Sequence, residues 1–167
     1  PKNFYKTAKM LVKMGFDGID INMGCPEKNI QKQGSCAALI KNHSLAQEII
    51  AACKEGAGRL PVSVKTRVGY HKNELDTWIP ALLKVEPDMI TIHGRTKKDM
   101  SKVPADWEAI KQAADLVRSS GLEILVLGNG DVRDLEDADQ KIARYGVDGV
   151  MLGRAVFGNP WLFNRSV

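Results

Sequence analysis

The sequence has no apolar run of the roughly 20 residues a bilayer needs, so it offers no membrane-spanning helix. No apolar signal segment stands near Pro1, which points away from export. Cysteine is scarce. Cys25, Cys36 and Cys53 form an odd set, with no CxxC spacing among them. That argues against a secreted disulfide scaffold and a structural zinc module, and predicts free thiols, no metal and a cytoplasmic setting. Basic residues nowhere run beyond the pair Lys97-Lys98. The net charge of +4 therefore permits a nucleic-acid partner without arguing for one. Linkers and low-complexity stretches are also missing, so the 167 residues read as one domain.

What is present is a repeating pattern. Hydrophobic residues make up 44% of the chain, enough for a folded core. Short apolar runs at Gly18–Asn22, Val62–Thr66, Met89–His93, Ile124–Gly128 and Gly149–Leu152 read as strands buried on both faces of a parallel sheet. Helical periodicity fills the intervals. Ser44–Gly56 has Ser44 as an N-cap and Gly56 as a stop, and Asp106–Ser119 and Asp134–Tyr145 each carry one apolar face. In Glu74–Val85, Pro80 predicts a kink or a late start. An amphipathic helix opens at Pro1 and another begins at Trp161, so both ends read as cut and the chain as a fragment.

Alternating strands and helices imply a parallel sheet with right-handed crossovers. Polar residues decide between an open sheet and a barrel. Asn22 and Cys25, Lys65 and Arg67, His93 and Arg95, Asn129 and Asp131, and Arg154 stand at or just past successive strand ends. An open sheet gathers its functional groups at one switch point, whereas a (β/α)8 (TIM) barrel turns every strand end toward one axis. The pattern predicts a partial (β/α)8 barrel of about five βα units, with the missing units mostly upstream.

Each candidate site has a plain alternative. Leu127-Gly-Asn-Gly-Asp-Val132 and Met151-Leu-Gly-Arg-Ala155 each pass for a turn alone, but at consecutive strand ends they favour a phosphate cradle completed by Arg154. Along β-spacing, Ser63, Lys65 and Arg67 share the face opposite Val62 and Val64, so in a barrel they point inward and need an anionic or polar partner. His93, ending an apolar strand, reads as a ligand contact rather than a catalyst. Cys25 lies in a turn fixed by Gly24 and Pro26. A free thiol, with an ordinary pKa of about 8.5, is protonated at neutral pH and can act as a general acid. The alternative, a small buried hydrophobe, covers Cys53 and Cys36.

Five segments together resemble the tRNA-dihydrouridine synthases. They are Asp20-Ile-Asn-Met-Gly-Cys-Pro26, Val64-Lys-Thr-Arg-Val-Gly69, Ile92-His-Gly-Arg-Thr96, Gly128-Asn-Gly-Asp131 and Gly153-Arg-Ala-Val-Phe-Gly-Asn-Pro-Trp161. The likeness is closest to the bacterial B-type branch. It implies that residues 1–167 are the C-terminal part of an FMN-binding barrel catalytic domain, strands four to eight, without the early strands or the following helical domain. It further implies a reaction in which NADPH reduces FMN, a hydride passes to C6 of a tRNA uracil, and a cysteine protonates C5. Cys25 matches the proton donor. Lys65 and His93 match flavin contacts; Asn129, Gly130, Asp131, Gly153 and Arg154 match the phosphate loops. Asn22 and Arg67 match positions that hold the uracil. The segment Lys97–Pro104 departs from the family pattern, with Ser101 and Val103 where an aromatic and glycines are frequent. Two alternatives stay open: an FMN-dependent dehydrogenase of a free dihydropyrimidine, and a non-redox tRNA-binding barrel.

Overall fold

A computed structural model describes residues 1–164. Helix α1 (Lys2–Lys13) leads to strand β1 (Ile19–Asn22), a short helix α2 (Lys28–Lys32), a 3₁₀ segment (Cys36–Lys41) and α3 (His43–Ala57). Then β2 (Val62–Arg67), α4 (Leu75–Leu83), β3 (Met89–His93), α5 (Trp107–Ser119), β4 (Leu125–Asn129), α6 (Leu135–Tyr145) and β5 (Gly149–Met151) alternate, with a 3₁₀ turn at Arg154–Val156.

All strand pairs are parallel, and the order in the sheet is β1-β2-β3-β4-β5. Every crossover thus steps one strand in the same direction. An open doubly wound sheet reverses at a switch point; a barrel wall does not. The chain forms part of a (β/α)8 barrel, as its strand pattern predicts.

Alternation splits each strand between two faces. Val62, Val64, Ile90, Ile92 and Val126 turn outward and are at most 2% exposed. Against them pack Ile49 and Ile50 of α3, Trp78 and Leu82 of α4, and Ile110 and Ala114 of α5. Each large side chain buried this way contributes roughly 1.5–3 kcal/mol, so the sheet–helix layer holds the fold together. The Trp78 indole N–H donates to the Thr66 hydroxyl, which donates to the Met23 carbonyl, so the polar atoms of this layer are paired. Below the strands, Asp88 and Asp148 use one device twice. Their carboxylates accept the amides of Val62 and Val126, each at 2.7 Å.

Several boundaries differ from the sequence reading. Helix α3 is capped by Asn42, whose side chain accepts the Leu45 amide at 3.2 Å, while Ser44 donates to Glu48. Gly56 does not end that helix. It faces α1, where an added Cβ would lie 2.3 Å from the Tyr5 carbonyl oxygen. Helix α4 starts at Leu75 and runs through Pro80. The carbonyl that Pro80 leaves without a donor belongs to Asp76, and both residues are exposed, so water can serve it. Helix α2 has no counterpart in the sequence reading; the Glu27 carboxylate caps it by accepting the Asn29 and Ile30 amides. At the C-terminal end a single turn closes from Asn164 to Trp161, and the rest of the expected helix lies outside the described residues.

Candidate functional site

The strand registers stack inward-facing side chains in two layers at the C-terminal end of the sheet. Arg67, His93, Asn129 and Met151 are aligned in the upper layer. Asn22, Lys65, Thr91 and Leu127 are aligned in the lower one. Lys65 reaches across β3 to donate to the Asn129 side-chain oxygen at 3.0 Å, and the Asn129 amide donates to the Met151 carbonyl at 2.7 Å. Burial pushes the Lys65 ammonium pKa down, helped by the Arg67 charge and opposed by Asp20.

A cleft of about 840 Å³ opens above these layers. Arg67, His93, Asn129, Gly130, Asp131, Gly153 and Arg154 line it, as do Pro26, Arg95, Met100 and Arg133. Lys65 joins the group through Asn129. Cys25 and Asn22 sit at its edge beside Pro26, not among its lining residues.

The turn that carries Cys25 is built by Asn22, whose side-chain oxygen accepts the amides of Gly24 and Cys25 at 3.0 and 3.1 Å. The Asn22 amide nitrogen is the part of that side chain the turn does not use. Arg67 grips the same turn from β2. Its Nε donates to the Gly24 carbonyl at 2.7 Å, and one Nη donates to the carbonyls of Thr96 and Met100, both at 3.1 Å. Arg67 is 7% exposed, so the inward placement is correct and a frayed, solvated end is not.

Across the cleft, Asp131 joins two arginines. One carboxylate oxygen accepts from Arg95 at 2.5 Å and from the Ala105 amide at 2.8 Å; the other accepts from Arg154 at 2.9 Å. Asp131 has φ 52°, in the left-handed region that aspartate tolerates better than most residues. Gly130, with φ +122°, is obligatory, since a Cβ there would lie 2.7 Å from that of Ala105. Burial works to raise the Asp131 pKa, but Arg95 and the Ala105 amide hold it below the ordinary carboxylate value. His93 goes the other way for an imidazole. Burial first, then the charges of Arg67, Lys65 and Arg95, depress it to about 3 against the pull of Asp131.

The sequence reading noted Arg95 at a strand end but gave it no role. Its 4% exposure and its contacts to His93, Asp131 and the Val103 carbonyl make it the hub that ties the loop after β3 to the cleft. The available signal was its position two residues beyond His93, inside the same motif. Cys53 is buried as expected, whereas Cys36 is only partly so and adjoins Cys25.

The donor set suits a phosphorylated cofactor. Arg67, Arg95, Arg133 and Arg154 line the cleft against the Asp131 carboxylate, with Lys65 behind Asn129, which leaves a positive field for an anion. A Cβ added at Gly153 would meet nothing within 4 Å, so that backbone is open to an incoming group.

A family model described as dihydrouridine synthase matches residues 1–167. A probable tRNA-dihydrouridine synthase of Staphylococcus aureus is 43% identical over 99% of this chain and 50% of its own length. Probable tRNA-dihydrouridine synthase 2 of Bacillus subtilis is 42% identical, over 99% and 51%. The chain thus spans about half the length of these relatives. Among solved structures, an aldolase, QR15, matches with a TM-score of 0.60 at 16% identity, covering 87% of this chain and 58% of its own. A 2,3-dimethylmalate lyase matches at 0.58 and 14%, covering 86% and 52%. At such identities these two speak for the barrel fold alone. The family model, matching end to end, speaks for more: this chain belongs to the dihydrouridine synthase family.

Proposed function

We propose that the protein containing this chain reduces uridine in tRNA to 5,6-dihydrouridine, with FMN as cofactor and NADPH as reductant. In this reading residues 1–167 are the C-terminal part of the barrel catalytic domain of a cytoplasmic enzyme. The observation that carries it is the junction made by Arg67 between the Cys25 turn and a cleft with four cationic side chains and one central carboxylate.

Bound FMN would supply two-electron hydride chemistry. The chain's own residues supply its seat and the proton. Gly130, Asp131, Gly153 and Arg154 would hold the phosphate, with Asp131 keeping the Arg154 guanidinium turned into the cleft. Lys65, fixed by Asn129, and neutral His93 would face the flavin with hydrogen-bond donors. Cys25 gives its thiol proton to C5 of the uracil as C6 is reduced, and Asn22 with Arg67 orients the base. The target base must leave its stack to enter such a site, and basic surface draws in the surrounding phosphates.

The test is to express the complete reading frame in a bacterial strain lacking all dihydrouridine synthases and to assay bulk tRNA by mass spectrometry. Dihydrouridine restored by the intact gene, and not by its Cys25→Ala variant, is the expected result. Flavin-loaded protein that restores none would reject this reading in favour of a free-pyrimidine flavoenzyme.

A further inference from the structure

Cys36 lies eleven residues beyond Cys25, yet the fold returns it to the same place. The Cys25 carbonyl accepts the amide of Ala37, the residue directly after Cys36, at 3.4 Å. Gln31 of α2 straps the loop shut from inside, donating to the Cys25 carbonyl at 2.6 Å and to the Ser35 carbonyl at 3.4 Å. Both ends of the 25–36 loop are therefore pinned together before any covalent link exists. Cys36 also holds φ 54°, a conformation that glycine takes freely and residues with a β-carbon avoid. A side chain stands there against local preference, and it is a thiol. Burial and the neighbouring Cys25 thiol push its pKa up. Both cysteines keep partial exposure; Cys53, 1% exposed on α3, is outside the group.

We propose that Cys25 and Cys36 form a peroxide-sensitive thiol pair, and that their disulfide withdraws Cys25 from proton donation. The second half rests on the role given to Cys25 above. In the first step the Cys25 sulfur attacks hydrogen peroxide; the O–O bond breaks, and Cys25 sulfenic acid and water result. In the second, the Cys36 sulfur attacks the sulfenic sulfur. An S–S bond forms, the S–O bond breaks, and the departing hydroxide leaves as water with the Cys36 proton. Two thiols lose two electrons in all, and one peroxide becomes two waters.

The experiment uses the full-length protein, reduced and then exposed to hydrogen peroxide, alkylated and digested with trypsin. Lys13, Lys28, Lys32, Lys41 and Lys54 separate the three cysteines into peptides 14–28, 33–41 and 42–54. The expected result is a disulfide joining 14–28 to 33–41, a fall of at least tenfold in tRNA uridine reduction, and recovery with dithiothreitol. Cys36→Ser, and Cys36→Gly as the variant best suited to the backbone, should keep the reduced protein's turnover within about twofold. After peroxide both should give a Cys25 sulfenic acid trapped by dimedone well above the parent. Oxidised protein without the joined peptide, a link to Cys53 instead, or equal dimedone labelling of parent and variants would each overturn the pair. Joined peptides in a protein whose reduced form leaves uridine untouched would overturn the function of Cys25 while the thiol pair stands.

Discussion

One guanidinium nitrogen of Arg95 lies 3.1 Å from Nε2 of His93. An arginine can only donate, so this ring nitrogen is the acceptor and the His93 proton sits on Nδ1. The contact thus sets the tautomer of a residue in the cleft that burial, with the charges of Arg67, Lys65 and Arg95, keeps neutral.

His93 is expected to stay neutral from pH 8 down to about 4. Nitrogen chemical shifts of labelled full-length protein would report it, and a titration step near 6.5 would reject the assignment. The sign for stability follows. Between about pH 6.5 and the folded value of about 3, the unfolded chain binds a proton that folded His93 refuses. Stability should therefore fall as pH drops through that window, by at most about 1.4 kcal/mol per unit from this group. In a His93→Gln variant that slope should shrink.

Asp131→Ala would leave Arg95, 4% exposed, without its carboxylate and the Ala105 amide without its acceptor. A loss of about 2 kcal/mol is expected in urea unfolding, short of the figure for a fully buried pair because Asp131 is 36% exposed. Asp131→Asn keeps an oxygen for the Ala105 amide and tolerates the left-handed backbone, so it should lose about half as much. Equal losses would show that charge alone matters at this position.

Gly56→Ala should separate α1 from α3. The new methyl would stand 2.3 Å from the Tyr5 carbonyl oxygen and 3.0 Å from the Ala8 side chain. Overpacking of this kind costs about 1–3 kcal/mol, offset by up to about 1 kcal/mol of improved helix propensity. A melting temperature lowered by several degrees, read by calorimetry, is the expected outcome; an unchanged one would mean that α1 yields freely.

Cofactor seat and proton donor should separate by mutation. Lys65→Ala and Arg154→Ala are expected to lower the flavin retained through purification, seen in the visible spectrum. Cys25→Ala should leave flavin content and NADPH oxidation intact and cut uridine reduction by about a hundredfold or more. Full turnover by that variant would remove Cys25 from the mechanism.

The order of strands and the face on which Lys65 and Arg67 lie were both legible in the sequence. Strand periodicity is a local property, and an apolar run such as Val62 and Val64 leaves little choice of which side is buried. The same logic placed Asn129, Gly130, Asp131 and Arg154 at one rim, because parallel units bring every strand end to one side. Helix limits were less legible. Ser44 and Gly56 carry the local signals of a cap and a stop, but Asn42 and the crossing of α1 over α3 override them.

What the sequence determined by itself was therefore the five strands and the longer helices between them, their parallel order and the residues at the strands' C-terminal ends. Only the tertiary structure decided how those residues meet. That Asp131 spans Arg95 and Arg154 is a contact among the loops of three strands, while Arg95 fixing His93 and Cys36 returning to Cys25 depend on how the loops after β3 and β1 fold back on themselves. Their geometry comes from setting parallel strand ends side by side and burying charge among them, which no local pattern of side chains encodes.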